Sequence, residues 1–138
     1  MPIRSASAEW EGDLKGGKGK MKMSSGAYEG AYTFASRFEE GVGTNPEELI
    51  AAAHAGCFSM AFSNGLAKAG FIPKRVHTTA KVHLEGGKTT TIELIAEGMV
   101  PGIDEKKFLE ISEEARKNCP VSQLVPGAEI KLQAKLVT

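Results

Sequence analysis

Hydrophobic and polar positions alternate along the first third of the chain, at Ile3 to Trp10, Lys20-Met21-Lys22-Met23 and Ala31-Tyr32-Thr33-Phe34, with glycine-rich stretches between them. A period of two sends successive side chains to opposite faces of a strand, so this third predicts an antiparallel meander. The period then changes. Thr44-Asn45-Pro46-Glu47-Glu48 has the composition of a helix start: Asn45 as cap, Pro46 at the first helical position, Glu48 to complete a capping box, and two carboxylates at the positive end of the dipole. A helix is predicted over about residues 46–69. Leu49, Ile50, Ala53, Cys57, Met60 and Ala61 form one apolar stripe, while Ala51, Ala55, Phe58, Phe62 and Leu66 cover much of the rest. Such coverage predicts a central helix packed on several sides, with the small residues Ala51, Ala52, Ala53, Ala55 and Gly56 admitting another helix closely.

Alternation returns at Val76, Thr78, Ala80, Val82 and Leu84, and Glu85-Gly86-Gly87-Lys88 turns the chain into Thr89 to Ala96, which predicts a hairpin with one buried face. Asp104 suits the cap of a second helix over about residues 105–118, carrying Phe108, Leu109, Ile111, Ala115 and Cys119 and stopped by Pro120. Ile130, Leu132, Ala134 and Leu136 close the chain as a half-buried strand. Strands, long helix, hairpin, helix and strand in that order predict an α+β fold, not a repeating βαβ one. With no repeat, low-complexity tract or linker in view, residues 1–138 are expected to form a single domain.

Composition narrows the functional classes. Lys plus Arg and Asp plus Glu both number 17, so overall charge points to neither nucleic acid nor an anionic membrane. Met1-Pro2-Ile3-Arg4-Ser5 lacks the apolar run of a secretory signal. The most apolar stretch, Leu49 to Phe62, contains His54 and falls short of the ~20 residues that span a bilayer. A cytoplasmic location is expected, in which the two cysteines are reduced thiols.

Three local patterns compete for the chemistry. Gly12-Asp13-Leu14-Lys15-Gly16-Gly17-Lys18-Gly19 has the spacing of a phosphate loop, but Gly19 replaces the hydroxyl residue that would bind magnesium and no helix is predicted next, so it reads as a solvated turn. His54 and Cys57, three apart on one helix, have the spacing of a nucleophile pair or half a metal site. No second pair completes a zinc set, and His54 reads as a satisfied or partly exposed helical histidine. A lone cysteine on an apolar helix is ordinarily an inert hydrophobe. Here a second cysteine stands at a helix end, and Arg37 and Glu47 lie just upstream of the first: thiolate chemistry needs a cation, and a sheltered cation needs its own anion.

Three runs, Ser36-Arg37-Phe38-Glu39, Gly43 to Leu49 and Ala52-Ala53-His54-Ala55-Gly56-Cys57-Phe58-Ser59-Met60-Ala61, resemble the OsmC branch of the OsmC/Ohr family of hydroperoxide reductases. Trp10-Glu11-Gly12-Asp13, Val100-Pro101-Gly102-Ile103-Asp104 and Asn118-Cys119-Pro120-Val121-Ser122-Gln123 extend the resemblance over nearly the whole chain. Arg37 stands just before the long helix, where the OsmC branch has its arginine, whereas the Ohr branch places it nearer the N-terminus. Two departures are a tight Glu85–Lys88 turn and Gly56 where alanine is common.

The resemblance implies an OsmC-like fold, with antiparallel sheets around the long central helix in an intertwined homodimer. It implies a peroxidase that reduces organic hydroperoxides better than hydrogen peroxide. Cys57 would be the peroxidatic thiolate, Cys119 the resolving thiol, and Arg37 with Glu47 the activating ion pair. It implies no bound cofactor or metal, and an external dithiol as reductant, either small or of lipoyl type and carried on a protein. Helical rise points the same way on assembly, because Glu47 and Cys57 are ten positions apart, about 15 Å along one helix. Two antiparallel copies crossing near Ala52 would place each Glu47 beside the other's Cys57. A redox sensor with little turnover and a structural dimer with inert thiols are the competing readings.

Overall fold

The computed structural model describes residues 2–138; Met1, the start of the N-terminal stretch read above, lies outside them. Among these residues β1 (Ala6–Glu11), β2 (Lys18–Met23) and β3 (Glu29–Tyr32) form the predicted antiparallel meander, in the order β1-β2-β3. Gly19 pairs with Trp10 on one side and Tyr32 on the other, and their rings lie 5.3 Å apart. A Cβ at Gly19 would stand 2.5 Å from the Tyr32 ring and 2.6 Å from that of Trp10, so the aromatic pair requires a glycine between them. The phosphate-loop spacing is indeed a turn: Asp13 accepts from the Gly16 and Gly17 amides at 2.7 and 3.0 Å, and β2 follows immediately.

The third strand stops short of Phe34, where alternation had carried it. Thr33 Oγ1 accepts from the Ser36 amide and Ser36 Oγ accepts from the Thr33 amide, a reciprocal cap that opens a short helix α1 (Phe34–Phe38). Helix α2 (Pro46–Lys68) then starts as predicted, with Asn45 Oδ1 accepting from the Glu48 amide at 2.7 Å. Glu48 does not complete the box; its carboxylate accepts from Thr44 Oγ1 at 2.7 Å instead.

The long hairpin is β4 (Arg75–Glu85) and β5 (Lys88–Met99), turning at Gly86 and Gly87 with φ of 59° and 78°, the left-handed region a two-residue hairpin loop needs. Helix α3 (Glu105–Asn118) is capped by Asp104, a five-residue helix α4 (Pro120–Leu124) follows Cys119, and β6 (Glu129–Val137) ends the chain. The α+β class holds, with one correction to the expected antiparallel sheets. β6 pairs with β5 in parallel, because the chain crosses back through α3 and α4 before rejoining the sheet.

The core lies in the second of two compact units, which meet in sequence at Leu49 and Ile50. Ile92, Leu94 and Ala96 of β5, Phe108 and Ala115 of α3, and Phe58, Phe62 and Leu66 of α2 are buried in it. Phe62 ties the layers together, its ring 5.6 Å from Phe58 and 5.1 Å from Phe108. Helix α2 is less enclosed than its apolar coverage predicts. Only His54, Phe58, Phe62 and Leu66, four apart along one face, are fully buried, while Met60 is 77% exposed and Ala53, Gly56 and Ala67 are open. Its 23 residues, close to the extent predicted, match a bilayer span in length and hydropathy. The buried Phe58–Phe62–Leu66 row is the packing of a core helix.

Replacing Phe62 with Ala is expected to cost about 3–5 kcal/mol, since it removes the ring shared by two helices. Urea unfolding should show a lower midpoint at an unchanged slope.

Candidate active site

Arg37 sits in the last turn of α1 and Glu47 in the first turn of α2, and both turns are fixed by short polar contacts. Ser36 Oγ donates to the Thr44 carbonyl at 2.7 Å, Asn45 Nδ2 donates to the Ser36 carbonyl at 2.9 Å, and the Thr44 amide donates to Ala31 at 3.0 Å. With the backbones so held, Arg37 Nε and Nη2 donate to Glu47 Oε1 and Oε2, each at 3.0 Å, in the bidentate geometry that only a guanidinium makes. The hydrogen bonds that Arg37 donates to Glu47 raise its pKa above the ordinary value, so the cation is permanent. The Glu47 side chain is 13% exposed and that of Arg37 35%, which leaves the guanidinium partly open. Its open side borders a cavity of about 240 Å³ lined by Trp10, Leu14, Tyr32, Phe34 and Phe38.

The second unit holds the thiols. Cys57 is half-buried on α2, and Cys119 is fully buried between α3 and α4. Their sulfurs lie 3.1 Å apart and both are free thiols, in contact but unbonded. Burial pushes the Cys57 thiol up; the Val121 backbone works against this, and the neighbouring Cys119 adds to it. Burial also pushes Cys119 up, but the Ser122 side chain and backbone, the Cys57 side chain and the Val121 backbone together bring it below its ordinary value. Within this unit the groups around Cys119 favour its thiolate more than those around Cys57 do.

The structure thus pairs the four sequence-derived residues two by two, Arg37 with Glu47 in the first unit and Cys57 with Cys119 in the second. His54 takes neither role its spacing suggested: it turns to Ser122, with Nε2 and Oγ 2.8 Å apart. Ser122 itself was missed. Its only sequence signal is a hydroxyl three residues after Cys119 with Pro120 between them, a spacing that closes on the sulfur at 3.5 Å once α4 forms. His77 is exposed on β4, and His83 on the same strand bonds Glu93 at 2.6 Å.

Residues 39–135 match the family model described as OsmC-like protein, and the chain is 50% identical over 134 residues to the peroxiredoxin OsmC of Escherichia coli (strain K12). The chain belongs to the OsmC family. That alignment covers 94% of this chain and 93% of its relative, in keeping with the OsmC branch. Among solved structures, an OsmC-like protein from Mycoplasma pneumoniae aligns over 99% of both chains at 16% identity and a TM-score of 0.74. The organic hydroperoxide resistance protein OhrB of Bacillus subtilis aligns over 95% of this chain and 98% of its own, at 23% identity and a TM-score of 0.70. At such identities these two establish the shared fold.

Burial lowers the His54 pKa, so the folded protein holds this imidazole neutral where the unfolded chain protonates it. Below about pH 6.5 the unfolded state binds the extra proton, so this contribution to stability is present above that pH and is lost as pH falls toward the lower folded value. Urea midpoints measured on either side of about pH 6.5 should fall in acid for the wild type and fall less for His54→Gln.

Proposed function

We propose that this OsmC-family peroxidase reduces organic hydroperoxides, and hydrogen peroxide less well, through a Cys57 sulfenic acid and then a Cys57–Cys119 disulfide. The observation that carries the reading is the pair of free thiols in contact at 3.1 Å. Cys57, the more open of the two, attacks a peroxide oxygen; the O–O bond breaks, alcohol leaves with a proton, and sulfur is left as sulfenic acid. Cys119 needs little movement to form the S–S bond, and water leaves. An external dithiol, for which a lipoyl group is our choice, reduces the disulfide by exchange and completes the cycle. Cytoplasmic thiol pools would keep the resting pair reduced.

Substrate preference follows from the aromatic cavity beside Arg37. Its walls of Trp10, Phe34 and Phe38 suit an alkyl or aryl group, while the guanidinium at its edge polarises the peroxide. Hydrogen peroxide would use the cation and leave the walls unfilled.

The cation that Cys57 lacks within its own unit is supplied, in this reading, by a second copy of the chain. The exposed Ala53, Gly56, Met60 and Ala67 lie along one face of α2, and the small size of Ala53, Gly56 and Ala67 permits helix-to-helix contact in a homodimer. Antiparallel crossing near Ala52 brings each Arg37–Glu47 pair to the partner's thiols. Glu47 then holds the guanidinium in place without quenching it.

Cys57→Ser should abolish dithiol-dependent consumption of cumene hydroperoxide, and Cys119→Ser should lose turnover and accumulate over-oxidised Cys57, both read by peroxide assay and intact mass. Glu47→Gln should lower kcat/KM by roughly tenfold to a hundredfold while leaving unfolding nearly unchanged. The shared site has its own test in refolded mixtures of inactive Arg37→Ala and Cys57→Ser chains. Heterodimers would regain one complete site, giving about a quarter of wild-type activity on statistical mixing. A mixture as dead as its parents would exclude a site built from two chains.

A further inference from the structure

Behind the thiol pair stands a buried row of polar groups that the peroxide reaction, as described, does not use. His54 Nε2 is 2.8 Å from Ser122 Oγ, Ser122 Oγ is 3.5 Å from Cys119 Sγ, and Cys119 Sγ is 3.1 Å from Cys57 Sγ. His54 and Cys119 are fully buried and Ser122 is 7% exposed. The other three buried positions of this helix face hold Phe58, Phe62 and Leu66. An imidazole in such company costs desolvation that a leucine would not.

The unused ring nitrogen fixes the direction of the row. His54 Nδ1 is buried and has no hydrogen-bond partner among the described residues. A proton on Nδ1 would strand a donor, whereas a proton on Nε2 strands only a lone pair, the lesser loss. Nε2–H therefore donates to Ser122 Oγ, and the Ser122 hydroxyl keeps its proton for Cys119 Sγ. The row is a chain of donors that ends on sulfur.

We propose that His54 and Ser122 are positioning residues for the second half-reaction, a buried donor chain that stabilises Cys119 as the thiolate attacking the Cys57 sulfenic acid. This rests on the reaction proposed above. While Cys57 carries the charge, Cys119 stays protonated, because two thiolates 3.1 Å apart repel strongly. Oxidation removes the charge from Cys57. Cys119 then loses its proton to solvent and its sulfur attacks Cys57 Sγ. The S–S bond forms as the S–O bond breaks, and the departing hydroxide takes up a proton to leave as water. The lowered Cys119 pKa, with the Ser122 side chain its chief lowering cause, agrees with this assignment.

The test separates the two half-reactions. In a Cys57→Ser background, ultraviolet titration of the Cys119 thiolate should give a higher pKa for Ser122→Ala and His54→Leu than for the parent. Ser122→Thr and His54→Gln, which keep a donor, should stay close to the parent. With Cys57 present, one equivalent of cumene hydroperoxide mixed in stopped flow should give sulfenic acid and then disulfide, and Ser122→Ala should slow the second phase about tenfold, as expected for one lost hydrogen bond to a charged group. Wild-type resolution in both Ser122→Ala and His54→Leu overturns the proposal. Slow resolution with an unshifted Cys119 pKa also overturns it, since Ser122 would then act by packing; should His54→Leu not fold, the Ser122→Ala and Ser122→Thr pair decides alone. Failure of wild-type Cys57 to oxidise at all would instead refute the peroxidase reaction, and the titration in the Cys57→Ser background would still judge the donor chain.

Discussion

Contact between two sulfurs at 3.1 Å is the constraint from which the proposed chemistry follows. Two thiols that close cannot both ionise, so whichever environment favours a thiolate claims the charge. Within the second unit the balance favours Cys119, where Ser122 and nearby backbone groups act on the sulfur, over Cys57, which is desolvated without comparable help. A nucleophilic Cys57 requires that balance to be reversed from outside. In the proposed reaction the Arg37–Glu47 pair does this, with a permanent charge, a fixed position and a guanidinium left partly open.

The contact itself is a product of core packing. Phe58, Phe62 and Leu66 anchor α2 against β5 and α3, and Phe108 and Ala115 anchor α3 on the same core. Cys57 lies beside the buried Phe58, and Cys119 ends α3 one turn after Ala115, its amide bonded to the Ala115 carbonyl at 3.0 Å. Cys57 lies within a helix and Cys119 at the one-residue junction of two. On the proposed reaction this rigidity limits the lifetime of the sulfenic acid, because the resolving sulfur is already in contact with it.

Helix α2 also shows why a sequence stripe is weaker evidence than a packed face. Its apolar residues surround most of the helix, and periodicity alone predicted enclosure on several sides. The core takes only the row through His54, Phe58, Phe62 and Leu66. Alanine and glycine fill much of the remaining surface, and these bury too little area to demand cover from the same chain. In the proposed dimer that surface is where a second α2 crosses.

Local rules were sufficient for much of this protein. Caps at Asn45 and Asp104, the Gly86–Gly87 turn, the meander and the extents of both long helices were all legible, because each depends on residues within a few positions of one another. The ordered motifs around Arg37, Glu47, Cys57 and Cys119 identified the family from sequence alone. Long-range pairing was not legible. The parallel return of β6 beside β5, the burial of one row of α2, and the bond between His54 and Ser122, 68 residues apart, exist only once the chain has closed on its core. Sequence named the two cysteines; tertiary packing set the 3.1 Å between them and put a buried histidine and serine behind the second, because distance, desolvation and hydrogen-bond direction belong to the folded chain.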